Sequence, residues 1–218
     1  MINSHSSNRK LASVNCYLFN AHSIANKLFE LHNLLYVENY NFVFITESWL
    51  NSDITVALID PHALYSVIRK DRIGARGGGV CALIRKDFTV VPIVFATKYS
   101  HLEIIGFDIV NVTPKLRLFV IYRSPHYNDQ ATTYATDLVY CLSDNVNEHY
   151  SQIIMGDFNL PRINWINYCC PNDCISNAIL KFFIKHGFRQ LVNFPKRDEN
   201  ILDLLLTDDD HLIHGIEG

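Results

Sequence analysis

No apolar run in this chain of 218 residues approaches the ~20 that a helix needs to cross a bilayer. The first ten residues, Met1 to Lys10, lack the apolar core of a secretory signal, so an intracellular protein without membrane attachment is expected, not a secreted one. A charge excess of one sign is missing too. With 22 acids against 19 bases the formal net charge is -3, which excludes a uniformly basic coat and leaves only local contact with a polyanion. Repeats, linkers and low-complexity stretches are absent after the polar start. The six cysteines (Cys16, Cys81, Cys141, Cys169, Cys170, Cys174) include no second spaced pair. The Cys169, Cys170, Cys174 group thus matches no ordinary zinc pattern, and reduced thiols are expected. Gly77-Gly78-Gly79 is not followed by Lys-Ser or Lys-Thr, so a tight turn or close backbone approach fits better than a phosphate cradle.

What is present is a composition that folds. At 49% hydrophobic and 12% aromatic, the chain has enough apolar surface for one sizeable core. Residues 1–10 read as a polar tail and residues 11–218 as a single domain. Leu11 to Phe19 reads as a strand, followed by Ile24, Leu28, Leu31 and Leu35 at helical spacing. Phe42 to Thr46 is a short buried strand. Further strands are predicted at Leu64–Ile68, Val80–Ile84, Thr89–Val94, Leu102–Val110, Leu116–Tyr122, Gln152–Met155 and Ile201–Leu206, with helices over Thr133–Cys141 and Ser176–Lys185. Short connections in the middle and helices near both ends predict mixed sheets with helices outside.

Polar residues fall where these strands stop. Asn20 follows the first strand, Glu47 follows Phe42 to Thr46, Tyr122 and Arg123 close Leu116 to Ile121, and Asp157 and Asn159 follow Ile153 to Met155 in Gly156-Asp157-Phe158-Asn159. Strand ends gathered on one edge would make an acidic, amide-rich cleft suited to a hard divalent cation, Mg2+ first and Mn2+ as the alternative. Such a cleft suits phosphoester hydrolysis: Glu47 as metal ligand, Asp157 as proton acceptor from water, and Asn20, Asn159 and Tyr122 as positioning groups. Asp203 is a charge inside the apolar run Leu202 to Leu206 and needs a partner. Each residue also has a plainer reading, with Glu47 opening a loop and Tyr122 and Arg123 as strand-end neighbours. Trp49 and Trp165 could stack on bases or pack in the core. The basic cluster Arg69, Lys70, Arg72, Arg76, Arg85, Lys86 could line DNA or be a solvated hairpin.

Taken in order, Asn20-Ala21-His22-Ser23, Thr46-Glu47-Ser48-Trp49, Gly77-Gly78-Gly79-Val80, Val120-Ile121-Tyr122-Arg123, Gly156-Asp157-Phe158-Asn159 and Leu202-Asp203-Leu204-Leu205 resemble the endonuclease/exonuclease/phosphatase superfamily. More narrowly, they resemble the apurinic-type endonuclease domain of LINE-type (non-LTR) retrotransposons, over nearly the whole chain from Leu11. The resemblance implies a DNase I-like four-layer α/β sandwich, with two mixed, largely antiparallel sheets face to face and helices outside. It implies Mg2+-dependent cleavage of DNA, a nick that primes reverse transcription, action in the nucleus, and a reverse transcriptase domain in the parent polypeptide. It places Asn20, Tyr122, Asp157, Asn159 and Asp203 in catalysis, Glu47 on the metal, and Arg76, Arg123 and Lys196 near substrate.

Three departures stand beside it. The family's closing Ser-Asp-His strand, whose histidine pairs with the aspartate matched by Asp203, is not found, so a last strand is expected to be missing and activity to be low. His211 lies too soon after the Asp203 strand to replace it, and His214 is no better placed. Lys196 stands where a threonine is frequent, and His22 where an arginine is frequent. A phosphatase of the same superfamily, acting on an inositol phosphate or phospholipid head group, is the alternative, and a non-catalytic DNA-binding relic is the third reading.

Overall fold

The computed structural model describes residues 9–10, 13–125, 131–170, 172–194 and 200–218. In chain order the elements are β1 (Arg9–Lys10), β2 (Cys16–Asn20), α1 (Leu28–Tyr36), β3 (Phe42–Thr46), α2 (Val56–Ile59), β4 (Tyr65–Lys70), β5 (Val80–Arg85), β6 (Val90–Pro92), β7 (Glu103–Ile109), β8 (Val112–Thr113), β9 (Leu116–Tyr122), α3 (Ala131–Asn145), β10 (Ser151–Asp157), α4 (Cys174–Lys185), β11 (Arg189–Gln190) and β12 (Asp203–Thr207). A 6-stranded sheet has the order β11-β12-β10-β9-β7-β6, a 4-stranded sheet the order β2-β3-β5-β4, and β1 pairs with β8. The β2/β3 and β9/β10 pairs are parallel, while the other pairs within the two large sheets are antiparallel. These are the mixed sheets the sequence predicts.

Alternation along each strand builds the layers. Phe42, Phe44, Val80, Ala82 and Ile84 face Ile105, Phe107, Leu118, Val120, Ile153 and Met155 in the core between the sheets. The intervening residues face outward. Val43, Ile45, Cys81 and Leu83 meet Leu31 and Leu35 of α1 and Ile59 of α2, while Ile104, Phe119, Ile121, Ile154 and Leu204 meet Leu138, Leu142, Ile179 and Phe183 of α3 and α4. The result is helix, sheet, sheet, helix. Asp173 caps α4, its carboxylate accepting from the Ile175 and Ser176 amides. Cys81, Cys141 and Cys170 are buried and reduced. No helix among the described residues is long and apolar enough to cross a membrane.

Most predicted elements shift by one to four residues at an end, and three of the differences bear on the site. The helix predicted from Ile24 starts at Leu28, because the amides of Ser23 and Ile24 donate to the carbonyls of Glu47 and Ser48 at 3.0 and 2.9 Å. The strand predicted from Leu11 to Phe19 is β2, Cys16–Asn20, matched in length to its partner Phe42–Thr46 and carrying Asn20 as its last member; Leu11 and Ala12 lie outside the described residues. The last is Asp203–Thr207, set by antiparallel pairing with Ile153 to Asp157. The small pieces β1, β8, β11 and α2 are too short for a periodic signal.

Gly156 fills a place only glycine can take. Its φ is 133°, and a Cβ there would stand 1.9 Å from the Ile121 carbonyl oxygen across the β9/β10 pair. Gly156→Ala is expected to cost ~3 kcal/mol or more in chemical denaturation. Gly187→Ala, at φ 72° with open space around it, should cost about 1 kcal/mol or less. Equal losses would show that the close approach to Ile121 is not the reason.

Candidate active site

Strand register aligns the polar residues before any side chain is considered. Across the larger sheet Glu103, Tyr122, Asp157 and Asp203 lie on one line. Across the smaller one Asn20, Thr46, Val80 and Lys70 do so. Counting in twos from Ile105, Val120, Met155, Leu205, Leu18 and Phe44, all members of the inter-sheet core, turns Glu103, Tyr122, Asp157, Asp203, Asn20 and Thr46 toward the facing sheet. One further residue in extended backbone would point toward α1. Glu47 instead adopts φ 48°, which swings its carboxylate back between the sheets.

Asn20 joins the two sheets there. Its Nδ2 donates to Glu47 Oε1 at 3.0 Å and to Asp157 Oδ2 at 3.1 Å. The Tyr122 hydroxyl donates to Glu47 Oε1 at 3.1 Å, and the Asn159 amide to Asp157 Oδ1 at 3.2 Å. Burial pushes Asp157 up to about 7, with the charges of Asp203 and Glu47 acting in the same direction against bonds from Asn20 and Asn159. Glu47 moves the other way: burial alone would raise it, but bonds from Asn20 and Tyr122 and the nearby His22 hold it below the usual carboxylate range. Burial, then the Glu47 charge, raises the Tyr122 phenol, so its hydroxyl stays a donor. Two carboxylates a single amide apart are thereby pushed to opposite sides of their ordinary range.

Behind the cleft lies a layer that no sequence motif announces. Arg72 makes a two-pronged ion pair with buried Glu103, at 2.6 and 2.9 Å, and its guanidinium stands 5.8 Å from the Tyr122 ring centre. A Cβ on Gly78 would lie 2.4 Å from the Arg72 guanidinium carbon. The triple glycine is therefore a close backbone approach, and what it approaches is an arginine. The Ser48 and Trp49 amides donate to the Gly79 and Gly78 carbonyls at 3.1 and 2.9 Å, tying the Glu47 loop to it. His22, a departure from the motif in sequence, places its Nδ1 2.9 Å from Glu47 Oε2.

The other named residues have varied surroundings. Arg123 is buried, and its Nη1 donates to the Phe158 and Asn159 carbonyls, so it braces the loop carrying Asp157. Asn159, at φ 47°, returns a bond to the Arg123 carbonyl at 2.7 Å. Arg76 is exposed and rests over the Trp49 ring at 5.2 Å. Half of the basic cluster is neutralised locally, through Arg69–Asp71, Arg72–Glu103 and Arg85–Asp87. Trp165 packs in the core behind α4. His211 sits in the turn Asp210–Leu212, beyond the far end of β12 from Asp203. Lys196 lies outside the described residues.

The donors fit a hard divalent cation. They are carboxylate and amide oxygens in a half-buried cleft, and the raised Asp157 carboxyl marks negative charge that the surrounding protein leaves undercompensated. Among the described residues no three His, Cys, Asp or Glu converge to enclose an ion alone. The protein would thus supply one or two ligands and leave the others to water and phosphate, as Mg2+ prefers.

The comparisons with known proteins agree with this architecture. A family model described as endonuclease-reverse transcriptase matches residues 116–217. Among solved structures, a variant of the 3′ phosphatase NExo from Neisseria bound to a product DNA hairpin superposes with TM-score 0.66 at 14% identity, over 92% of this chain and 88% of that one. The endonuclease domain of TRAS1, a telomere-specific non-LTR retrotransposon, gives TM-score 0.64 at 14% identity, over 91% and 86%. An AP endonuclease from Archaeoglobus fulgidus gives 0.61 at 12% identity, over 90% and 87%. No curated protein matches the sequence. At these identities the likeness is one of fold, and the fold is the DNase I-like sandwich that the motifs imply.

Asp157 makes stability depend on pH in metal-free buffer. Folded, it keeps its proton up to about 7, whereas unfolded it loses it near ~4. Between these values the folded state binds more protons, so stability falls as pH rises through the window. Asp157→Asn, neutral throughout, should match the parent near pH 4 and exceed it above pH 7 by on the order of 1–4 kcal/mol in thermal or denaturant unfolding. Parallel stability curves for the two proteins would refute this origin.

Proposed function

We propose that this chain is a divalent-cation-dependent phosphodiester hydrolase acting on DNA, an endonuclease that nicks target DNA in the life cycle of a non-LTR retrotransposon. The observation that carries the reading is the bridge from Asn20 to both Glu47 and Asp157, with Tyr122 on Glu47, at the open edge where two sheets meet. Support for the narrower part comes from the family description, which couples an endonuclease with a reverse transcriptase, and from the fold shared with the TRAS1 domain. A reverse transcriptase domain in the same polypeptide and action in the nucleus follow from that reading.

The residues divide the work by their environments. A Mg2+ or Mn2+ ion held by Glu47 would supply positive charge against the phosphoryl oxygens. Asp157, poised near 7, takes the proton of the attacking water, because its affinity is matched to neutral pH. Asn20 holds the two carboxylates apart and aligned, and the Tyr122 hydroxyl directs its proton into the cleft. Asn159 and Arg123 keep the Asp157 loop closed, while Asp203, next in register, raises the basicity of Asp157. Arg76 on the Trp49 ring brings a cation to the rim of an otherwise acidic cleft, where a DNA backbone would approach.

A supercoiled-plasmid nicking assay with Mg2+ tests this. The parent chain is expected to nick at a low rate, Asp157→Asn to lose on the order of 10²–10⁴ in kcat, and Glu47→Ala to lose nicking and Mg2+ dependence together. Release of phosphate from an inositol phosphate, with plasmid left intact, would replace the reading with the phosphatase one. Retention of DNA without cleavage of either substrate would make the chain a binding relic.

A further inference from the structure

His22 is 72% exposed, yet its placement is specified from four directions. Its backbone sits at φ 48° and that of Ser23 at φ 89°, neither a conformation that L side chains adopt freely. The His22 amide donates to Asn20 Oδ1 at 3.1 Å, and the Ser23 amide to the Glu47 carbonyl at 3.0 Å. The imidazole lies against Trp49, ring centres 4.9 Å apart, and Trp49 is steadied on by Arg76. This is more backbone strain and packing than a solvent-facing histidine requires. Its outcome is one short contact, Nδ1 at 2.9 Å from Glu47 Oε2.

At 2.9 Å the two atoms are at ion-pair distance as they stand, and the same separation would let both meet one ion. Two neighbouring ligands in an octahedral shell, each ~2.1 Å from the ion, stand ~3.0 Å apart, whereas a tetrahedral pair would stand ~3.4 Å apart. Glu47 Oε1 is already taken by Asn20 and Tyr122, which leaves Oε2, the oxygen facing His22, for an ion. The exposed imidazole has room to present Nδ1 to the cation and to donate from Nε2 to water. We propose that His22 Nδ1 and Glu47 Oε2 act together as neighbouring ligands of the catalytic cation, giving the site one nitrogen donor and a preference for Mn2+ over Mg2+. The inference rests on the metal-site reading above and deepens it. An all-oxygen site suits Mg2+, and replacing one oxygen by imidazole shifts selection toward ions that accept nitrogen.

Pulsed EPR on the Mn2+-loaded protein reads the bond directly and needs no turnover. The parent should show the ¹⁴N modulation of a directly bound imidazole, converted to the ¹⁵N pattern by ¹⁵N-histidine labelling. His22→Asn, at an exposed position that leaves the core untouched, should lose the modulation and bind Mn2+ at least ~10-fold more weakly. Its Mg2+ affinity, read by competition or calorimetry, should change less than ~3-fold. Mn2+ binding that Glu47→Gln abolishes but that shows no nitrogen modulation, or a modulation that survives His22→Asn, would overturn the inference and leave the oxygen-ligand site standing. Failure of the parent to bind either ion would remove the metal-site reading and this inference with it.

Discussion

The two sheets face each other through alternate side chains, and that packing decides where everything else can be. Phe42, Phe44, Phe107, Leu118, Val120 and Met155 fill the interior along most of its length. At the open end the same alternation continues, but the residues become Asn20, Thr46, Tyr122, Asp157 and Asp203. A cleft of this kind is a hydrophobic core whose last layer has been exchanged for polar groups. Its price is visible in Asp157, whose burial in a crowd of carboxylates pushes its proton affinity up by several orders of magnitude. The same crowding that opposes ionisation makes the position useful to a base and attractive to a cation.

Much of this is legible in the sequence because strands announce themselves by apolar runs and the polar residues punctuate their ends. Phe42 to Thr46 and Leu116 to Tyr122 coincide with observed strands, and the order of motifs around them carries the resemblance to a DNase I-like sandwich. Hidden were the contacts that depend on non-local geometry. Nothing in the spacing of Arg72 and Glu103 says that they pair, since the link runs between sheets through a gap left by Gly78. His22 reads as a substitution in a motif, and only the left-handed turns at positions 22, 23 and 47 bring it to Glu47. Arg123 sits beside a catalytic candidate in sequence and suggests substrate contact. In the fold it turns inward to two carbonyls.

The loops around the cleft store conformational strain where the strands do not. Glu47, Trp49, His22 and Asn159 all occupy the left-handed region without being glycine, and each is held there by a hydrogen bond or a packed ring belonging to another loop. Such backbone is retained where surrounding contacts over-determine it. Here the over-determination is mutual: the Glu47 loop bonds to the glycine turn, that turn accommodates Arg72, and Arg72 stands over the tyrosine whose hydroxyl meets Glu47. The circuit returns to its starting residue, so the carboxylate is fixed by a closed ring of contacts.

Because Glu103, Tyr122, Asp157 and Asp203 share one register line, their chemistry is tied to strand length in a way that constrains how such a chain can diverge. A one-residue insertion or deletion within β9 or β10 would exchange inward for outward faces, sending the carboxylate toward α3 and α4 and the apolar residues into the cleft. Descendants of this sequence can therefore vary in length only in the connections, where new loops change what is recognised without moving what reacts. The rigidity of the ladder is what frees its rim to diversify.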